Sequence, residues 1–433
     1  MTPQAFLARH PDATRVQFVV IDPNGRARGK WAPVAALEKA FGAGVNFPLS
    51  IHGLDVWGSE VPETGLHISS GDRDGFFRAV PHTLCVLPGG DAQVVLETVD
   101  AAGEPFAGCS RQVLRRVVER LPHAATMAFE LEFHLLEPDG THLAGEGVLR
   151  GQQLMYDLAA LERHRAFADA VTQAAGAADL PVDTIVKEAG PGQFEVNLHH
   201  RDDPHLHGPL RAADDAVLLR RIVTAAAAHE GLRATFMAKP FADAPGNGMH
   251  LHVSLADGDA PVFAREGEGW RRLRHAAAGL VGTMPEGALV FANGCNGHRR
   301  LAPGSYAPTH ANWGTNNRSV AVRVPTGVAR LEHRVAGADA NPYLVAALVL
   351  AGMARGLAER AEPPPEVESN AYETEAGAKL PATMAEALAA WEGSAFVREA
   401  LGEVLHANLA HLKRAELAGF AADISPLERA TYL

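Results

Sequence analysis

Two glutamates separated by one residue, Glu130 and Glu132, lie in a hydrophobic segment where carboxylates are costly to bury. Apolar residues alternate with them through residues 127–136, and this period of two predicts a β-strand with both carboxylates on one face. Like charges side by side in apolar surroundings repel each other unless a cation lies between them. The segment therefore indicates either a cation site or an edge strand with one solvated face.

Two further segments bring polar groups together in the same way. Glu188 and Glu195 flank a Gly-Pro-Gly turn, so the ends of two strands can bring both carboxylates to one place. His250, His252 and Ser254 alternate with apolar residues, which directs both imidazoles and the hydroxyl to one strand face. Each segment taken alone also fits an ordinary structural role, because surface and core histidines are common.

A third part of the chain is rich in arginine. Arg318 and Arg323 lie on one segment, and Arg330, Glu332 and Arg334 share one face of another predicted strand. One interpretation is a plain surface ion pair between Glu332 and Arg334, which would contribute little stability. The other is that the guanidinium groups are bidentate donors for phosphate and carboxylate oxygens.

Together these segments supply hard carboxylate oxygens and imidazole nitrogen but no thiolate. Such a set suits Mg²⁺ or Mn²⁺ rather than structural zinc. Its five glutamates suffice for two divalent ions, which can clamp a transferring phosphoryl group. The chain has no Gly-x-x-x-x-Gly-Lys-Ser/Thr sequence, so an ATP site here is not of the P-loop type. The residues predict metal-assisted phosphoryl transfer from a nucleotide to an acidic substrate.

The elements that must position these groups fall into two predicted domains, 1–107 and 108–433, in an α+β chain. In the first we predict a hairpin that turns at Asp22–Gly25, followed by a short helix, a long loop and two strands. The corresponding ranges are hairpin 15–34, helix 33–42, loop 46–82, and strands 84–87 and 94–98.

In the second domain helices and strands are mixed. The predicted strands are 127–133, 183–188, 193–198 and 249–255, and the predicted helices are 111–121, 154–178, 212–230, 267–288, one from 341, 383–392 and 394–421. Within helix 212–230, Arg220 and Arg221 are predicted to form a solvated face.

The net charge, the cysteines and the apolar segments restrict which partners and which cellular compartment we expect for this protein. The 433 residues carry a net charge of -12, which argues against nucleic acid as the main partner because a phosphate backbone requires a basic footprint. The three cysteines are widely spaced, as expected of a reduced cytosolic protein. No signal peptide is visible, and the longest apolar run, 343–353, is too short to span a bilayer. We expect a cytoplasmic protein without a membrane partner.

Five segments resemble motifs of the glutamine synthetase family, both in their sequences and in their order along the chain. They are FELEF (129–133), EAGPGQFE (188–195), GMHLHVSL (248–255), NRSVAVRVP (317–325) and RLEHR followed by ANPYL (330–344). The resemblance extends over nearly the whole chain, from residue 22 to the C-terminus. Five ordered motifs are much more specific than any one of them.

The resemblance implies a role for each matching residue. One metal would be held by Glu132, Glu188 and Glu195, and the other by Glu130, His250 and Glu332. The nucleotide side would include His252 and Ser254, and the ATP phosphates would be contacted by Arg318, Arg323 and Arg330. The glutamate would be held by Gly246, Arg300 and Arg334. Arg318 and Arg334, with Asp74 of a neighbouring subunit, are the predicted catalytic residues.

The resemblance also implies a fold, an assembly and a reaction. The fold would be an N-terminal β-grasp domain on a larger catalytic domain with an antiparallel sheet and surrounding helices. The assembly would be a dodecamer of two stacked hexameric rings, in which the N-terminal domain of a neighbour completes each active site. The γ-carboxylate of L-glutamate would attack the γ-phosphate of ATP, and a nitrogen nucleophile would then displace phosphate from γ-glutamyl phosphate. The protein would mainly position groups and stabilise charge.

Two departures from the family pattern concern the nitrogen acceptor. Ammonia-using members have an Asp in a Phe-Asp-Gly-Ser-Ser context, where this chain reads Phe47-Pro48-Leu49-Ser50. They also have a Glu in a Pro-Gly-Tyr-Glu-Ala-Pro context, where residues 303–308 read Pro-Gly-Ser-Tyr-Ala-Pro. Because carboxylates are best suited to recognise and deprotonate ammonium, their absence predicts another acceptor. The segments EAGPGQFEVNLHH (188–200), ANWGTNNRSVAVRVP (311–325) and EHRVAGADANPYL (332–344) are most similar in sequence to γ-glutamyl-amine synthetases of the γ-glutamylputrescine type. Those enzymes begin the catabolism of a primary amine.

We therefore predict a ligase that joins glutamate to a primary amine, which would be putrescine, a polyamine or a monoamine. The alternative is a glutamine synthetase in which both departures are drift. A non-catalytic relative should have lost metal ligands, and none of the six is missing. The predicted acceptor pocket lies between the loop near residues 55–63, Asp74 of the neighbouring subunit, and the flap at Tyr306 and Trp313. A diamine would need a further acid there, whereas a monoamine would need an apolar wall.

Overall fold

The computed structural model describes residues 2–100, 102–141, 143–144, 154–201 and 207–433. Their α-helices are α1 (Pro3–Arg9), α2 (Leu37–Phe41), α3 (Ser110–Glu119), α4 (Leu158–Arg163), α5 (Arg165–Ala177), α6 (His207–His229), α7 (Gly267–Thr283), α8 (Ala288–Phe291), α9 (Gly294–Arg300), α10 (Pro342–Glu359), α11 (Met384–Gly393), α12 (Ala395–Leu401), α13 (Glu403–Ala422) and α14 (Pro426–Tyr432). Their strands are β1 (Arg15–Ile21), β2 (Ala27–Pro33), β3 (Val45–Pro48), β4 (Asp74–Ala79), β5 (Cys85–Val86), β6 (Ala92–Val99), β7 (Ala124–Leu136), β8 (Val182–Lys187), β9 (Gln193–Leu198), β10 (Arg233–Thr235), β11 (Met249–Asp257), β12 (Ala260–Pro261), β13 (His310–Ala311), β14 (Trp313–Thr315), β15 (Val322–Val324), β16 (Leu331–His333) and β17 (Ala378–Lys379).

The N-terminal domain is built on a sheet with strand order β2-β1-β6-β4-β3. The predicted hairpin is confirmed, because β1 and β2 pair antiparallel and Gly25 turns the chain with a positive φ of 79°. The predicted loop 46–82 is wrong in part, because it contains β4. Only a few residues of that strand are apolar, but Phe77 is fully buried and anchors it.

The second domain is built on a second sheet with strand order β14-β15-β16-β11-β7-β9-β8. The central strand β7 pairs with β9 on one side and with β11 on the other, both antiparallel. On one face of β7, Phe129, Leu131 and Phe133 are fully buried, and Phe133 packs against Phe167 of α5. The opposite face is free to carry the polar groups of this sheet. The chain is thus an α+β protein, as predicted.

Helix α10 is long and apolar enough to cross a membrane by length and composition, with a mean hydropathy of 1.3, but 67% of it is buried inside the protein. It packs closely against α7 through glycines. A Cβ atom at Gly279 would lie 2.2 Å from the carbonyl oxygen of Gly352. Since only glycine permits this approach, α10 is a helix of the protein core.

The predicted solvated face of α6 is wrong. Arg220 donates a hydrogen bond to the carbonyl oxygen of Ala340 (2.7 Å), and Arg221 donates to Gln17 and Gln93 of the N-terminal sheet. Burial lowers the pKa of Arg220 to about 10. The helix packs against other elements on several sides, so polar residues in it are not a sign of exposure.

A buried ionic cluster connects the N-terminal sheet to helices of the second domain. Arg111 of α3 donates to Asp214 of α6 (2.9 Å) and also contacts Glu97 of β6. His82 and Tyr343 make further hydrogen bonds to Asp214, at 2.8 and 2.7 Å. Burial alone would raise the pKa of Asp214, but Arg111 and His82 outweigh it and hold that pKa well below its usual range. The predicted boundary near residue 107 falls between β6 and α3, which this cluster ties together.

Candidate active site

The register of the catalytic sheet places the predicted ligands on one face. On β7, Glu130 lies opposite His250 of β11, and Glu132 lies opposite Glu195 of β9. Farther along β11, His252 lies opposite Glu332 of β16, which in turn lies opposite Arg323 of β15. Because directly opposed residues point to the same side of a sheet, five strands contribute to a single polar surface.

This surface is the floor of a cavity of about 450 Å³. The cavity brings together most of the predicted site residues, namely Glu130, Glu132, Glu188, Glu195, Gly246, His250, His252, Arg300, Tyr306, Arg318, Arg323, Arg330 and Arg334. Glu332 lies just beneath its wall, in contact with Arg323 and Arg334. Ser254 lies on the same face of β11 but outside the cavity lining.

Glu130 is the centre of a hydrogen-bonded group. Its carboxylate lies 3.2 Å from Nδ1 of His250 and 2.8 Å from Nε2 of His252. Arg330 donates through Nε to Nδ1 of His252 (3.1 Å), so the proton of this imidazole must be on Nε2, where it is donated to Glu130. Burial would raise the pKa of Glu130, but the hydrogen bonds from both histidines hold it well below its ordinary value.

The two carboxyl groups that flank the Gly-Pro-Gly turn, Glu188 and Glu195, have raised pKa values, whereas that of Glu130 is lowered. Burial, and then the charge of Glu132, raise the pKa of Glu188 to about 7. Burial and the neighbouring glutamates also raise the pKa of Glu195 well above its ordinary value. This part of the cavity therefore holds more negative charge than its own cations compensate, which is the condition under which a bound cation is favoured.

Among the residues that the structure describes, two groups of ligand atoms lie close enough to hold metal ions, with the atoms of each group within 4.8 Å of one another. One consists of Glu130, Glu195 and His250, and the other of Glu130, His252 and Glu332. They differ from the predicted sets in two ways: Glu195 lies with Glu130 and His250, and His252 lies beside Glu332. Glu132 and Glu188 belong to neither group, so their role as metal ligands stays a prediction. Their hard oxygens and imidazole nitrogens fit Mg²⁺ or Mn²⁺, and the uncompensated charge of Glu188 and Glu195 supports the same conclusion.

Glu332 is not part of a surface ion pair. Its carboxylate accepts a hydrogen bond from Arg323 (2.8 Å) and another from Arg334, and all three residues are buried. Burial would raise the pKa of Glu332, but Arg334 and the nearby histidines lower it to about 2. Glu332 therefore stays ionised, and it fixes both guanidinium groups at the edge of the cavity.

A buried chain of amides, which the sequence analysis missed, supports the loop at Gly246. Gln193 donates to the carbonyl oxygen of Gly246 (3.0 Å) and accepts from the backbone N–H of Gly190 (3.0 Å). Asn247 Oδ1 lies 2.8 Å from Nδ1 of His134, and Asn247 Nδ2 donates to a backbone carbonyl at 2.9 Å. The sequence did contain a sign of this polar chain, because His134 continues the alternation of Glu130 and Glu132 and so lies on the same face of the strand.

Gly246 is held close to Arg300. A Cβ atom at Gly246 would lie 2.6 Å from the carbonyl oxygen of Ala238 and 2.8 Å from Cγ of Arg300, so no larger residue fits there. Arg300 is buried and donates to the carbonyl oxygen of Val335 (2.9 Å). The pair presents a backbone edge and a fixed cation to the cavity, an arrangement suited to an amino-acid ligand.

The predicted acceptor residues are not all in one place. Tyr306 lines the cavity, and 58% of its surface is exposed. The prediction for Trp313 is wrong, since this side chain is buried and its indole donates to the carbonyl oxygen of Pro364 (2.8 Å). The alternation of β14 turns it to the core, which its sequence context did not reveal. Asp74 is exposed on β4 and does not line the cavity, so its role in a neighbouring subunit stays a prediction.

Comparison with known proteins agrees with this geometry. A family described as "Glutamine synthetase, catalytic domain" matches residues 107–432. The γ-glutamylputrescine synthetase PuuA of Escherichia coli is 36% identical over 422 residues, covering 92% of this chain and 87% of its own. The glutamine synthetase of Pyrococcus abyssi is 31% identical, covering 93% and 89%. A solved structure described as a GmaS/ADP complex superimposes with a TM-score of 0.87 at 27% identity, covering 100% of this chain and 99% of that one.

Proposed function

The chain belongs to the glutamine synthetase family, and we propose that it is an ATP-dependent ligase that joins the γ-carboxylate of L-glutamate to a primary amine. The reaction would proceed through γ-glutamyl phosphate and release ADP and phosphate. The cavity supports this proposal because it combines a carboxylate cluster, converging arginines and a glycine-bearing loop in one enclosed space.

Six residues would hold two divalent ions: Glu130, Glu132, Glu188, Glu195, His250 and Glu332. Bound Mg²⁺ or Mn²⁺ would neutralise phosphate charge and so make the γ-phosphorus open to attack. Arg323 and Arg330 would orient the ATP phosphates, since the first is fixed by Glu332 and the second by His252. His252 and Ser254 would lie on the nucleotide side.

The glutamate would lie between the Gly246 loop and two buried arginines. Arg300 and Arg334 would bind its carboxylates, and Gly246 would contact it through the backbone. Arg318 and Arg334 would stabilise the charge that develops on the acyl phosphate. Preorganised cations of this kind need no rearrangement during the reaction, which is how they lower its barrier.

The observation that favours an organic amine over ammonium is the composition of the cavity wall. Among the described residues that line the cavity, every carboxylate belongs to the ligand cluster. By the resemblance of residues 303–308 to the family motif, Tyr306 occupies the position of the glutamate of ammonia-using members. No carboxylate of this wall remains to recognise a small cation. An organic amine can be bound through its carbon skeleton instead.

The remaining acid would come from a neighbouring subunit. We propose a dodecamer of two hexameric rings in the cytoplasm, in which Asp74 of one subunit reaches the cavity of the next and helps bind or deprotonate the incoming amine. This proposal follows the family pattern. It requires that Asp74→Asn raise the KM for the amine or lower kcat.

The test is ADP release with ATP, Mg²⁺ and glutamate, with ammonium, putrescine, ethylamine and benzylamine as separate acceptors. We expect turnover with an organic amine to exceed turnover with ammonium, and to require glutamate. Asp74→Asn is compared with Asp12→Asn, an exposed aspartate elsewhere in the same domain, as the matched control. Unchanged kinetics in Asp74→Asn would remove that residue from the proposal.

Glutamine synthetase is the second candidate. It is favoured by the match to the Pyrococcus abyssi enzyme, which covers nearly the whole chain. If ammonium were the best acceptor in the same assay, the substitutions at positions 48 and 306 would be neutral sequence drift without effect on acceptor choice. The chain would then be a glutamine synthetase with an unusual flap.

A further inference from the structure

Two tyrosines at the mouth of the cavity adopt a backbone conformation that tyrosine rarely adopts. Tyr156 has a φ of 62° and Tyr306 a φ of 60°, both in the left-handed region. Both line the cavity, and their exposed fractions are 64% and 58%. Left-handed backbone is unfavourable for a bulky residue and persists only where the surroundings enforce it, most often at functional sites.

The surroundings do enforce it at Tyr156. The backbone N–H of Tyr156 donates to the carbonyl oxygen of Lys187 (2.9 Å), and that of Leu154 donates to the carbonyl oxygen of Ala189 (3.2 Å). These bonds attach the tyrosine to the segment that carries Glu188. The exposed ring is therefore held in a fixed relation to the metal-binding carboxylates.

Tyr306 is held in the same way from the other side. Ser305 Oγ donates to the carbonyl oxygen of Arg300 (2.8 Å), and the hydroxyl of Tyr372 donates to the carbonyl oxygen of Ala307 (2.9 Å). The flap is thus fixed on both sides of Tyr306 while its ring remains uncovered. An exposed aromatic ring on a fixed backbone is an efficient binding surface, because little side-chain freedom is lost on contact.

The chemistry of this mouth is apolar. Met155, which is next to Tyr156 in sequence and 36% exposed, adds a thioether to the two aromatic rings of the cavity lining. The described lining offers no carboxylate outside the ligand cluster. The acid proposed to come from a neighbouring subunit, Asp74, would be engaged by the reacting amine. A second ammonium group placed here would therefore have no counter-charge of its own, whereas an alkyl or aryl group would gain contacts with the two rings.

We infer that the acceptor is a primary monoamine whose uncharged alkyl or aryl tail binds between Tyr156 and Tyr306, with Met155 beside it. This inference rests on the proposed amine ligase activity and names its acceptor class. It separates this chain from its relative that is named for putrescine, a diamine.

The test compares pentylamine with putrescine, which have the same length and differ in a terminal methyl or ammonium group. Hydroxylamine is the reference acceptor, because it is too small to reach the mouth and reports the ATP and glutamate machinery alone. We expect kcat/KM for pentylamine to exceed that for putrescine by about tenfold or more. Equal or higher values for putrescine would overturn the inference. A recess of about 650 Å³ behind Tyr306, which contains Glu368, would then be the place to look for the distal charge.

Substitutions locate the tail. Tyr156→Ala and Tyr306→Ala should each lower the ratio of kcat/KM for pentylamine to kcat/KM for hydroxylamine about tenfold, and Tyr→Phe at the same positions should preserve that ratio. An unchanged ratio in both alanine variants would refute the placement, and thermal unfolding checks that they fold. No ADP release with any acceptor would instead refute the proposed ligase. Turnover with hydroxylamine but no preference for pentylamine would refute this inference alone.

Discussion

The metal-free protein should bind Mg²⁺ about tenfold more weakly at pH 6 than at pH 8. The reason is the pKa of Glu188, which burial and the charge of Glu132 raise to about 7. At pH 6 this carboxyl is about nine-tenths protonated, and a metal must displace the proton before it can bind. At pH 8 the carboxylate is already ionised. Glu195, whose pKa is raised for the same reason, can only steepen the dependence.

Isothermal titration calorimetry of the EDTA-treated protein measures this directly. The dissociation constant is determined at both pH values, each in two buffers of different ionisation enthalpy, which yields the number of protons released. Because Glu188 and Glu195 both have raised pKa values, we expect at least one proton to be released per bound metal at pH 6 and fewer at pH 8. Glu332, whose pKa is about 2, contributes no proton at either pH.

The control is Glu188→Gln, which removes the titrating group but keeps its shape. This variant should bind Mg²⁺ more weakly at pH 8 and should lose the part of the pH dependence that Glu188 contributes, about tenfold, while the part that comes from Glu195 remains. Equal Mg²⁺ affinity at both pH values in the wild-type protein, with no proton release, would refute the argument. It would mean either that Glu188 does not bind the metal or that its carboxyl is already ionised at pH 6.

Two further substitutions test the supports of the site. Asn247→Leu removes the buried amide beside Gly246. It should cost about 3 kcal/mol in urea unfolding and raise the KM for glutamate more than the KM for ATP, and an unchanged glutamate KM would contradict the support role. Asp214→Asn leaves the buried guanidinium of Arg111 without its main partner and should cost about 3 kcal/mol. The control is Glu162→Gln, which breaks the exposed ion pair with Arg165. If both substitutions lowered the free energy of unfolding equally, the buried cluster would contribute no more stability than an exposed ion pair.

Local alternation in the sequence was sufficient to predict the strands that carry the site, because period two alone decides which side chains share a face. The paired residues of β7, β8, β9 and β11 follow this rule. The order of those strands could not be predicted, because it depends on pairings between distant segments. Thus the two groups of ligand atoms, and the position of His252 beside Glu332, became evident only from the register.

The wrong predictions share a physical cause, which is that sequence does not show what packs against a surface. Arg220 and Arg221 were predicted to face water because charged residues usually do. In the fold, α6 packs against β7 and α10 and contacts the N-terminal sheet. Arg220 donates to the carbonyl oxygen of Ala340, just before α10, and Arg221 donates to the side chain of Gln93 in the N-terminal sheet. Trp313 was predicted to line a pocket but packs near Trp270 in the core.

The central strand β7 has a consequence for how this gene can change. It pairs with β9 and β11 along most of its length, carries Glu130 and Glu132 on one face and buries Phe129 and Leu131 on the other. Deleting a single codon within it would exchange the two faces, burying the carboxylates and exposing the phenylalanine. Insertions and deletions should therefore be lethal to function in this strand. The mouth residues 155–156 and 306 lie outside this strand, so they can be substituted one at a time without changing its register. Acceptor specificity can therefore diversify in evolution while the ligand face of β7 is preserved.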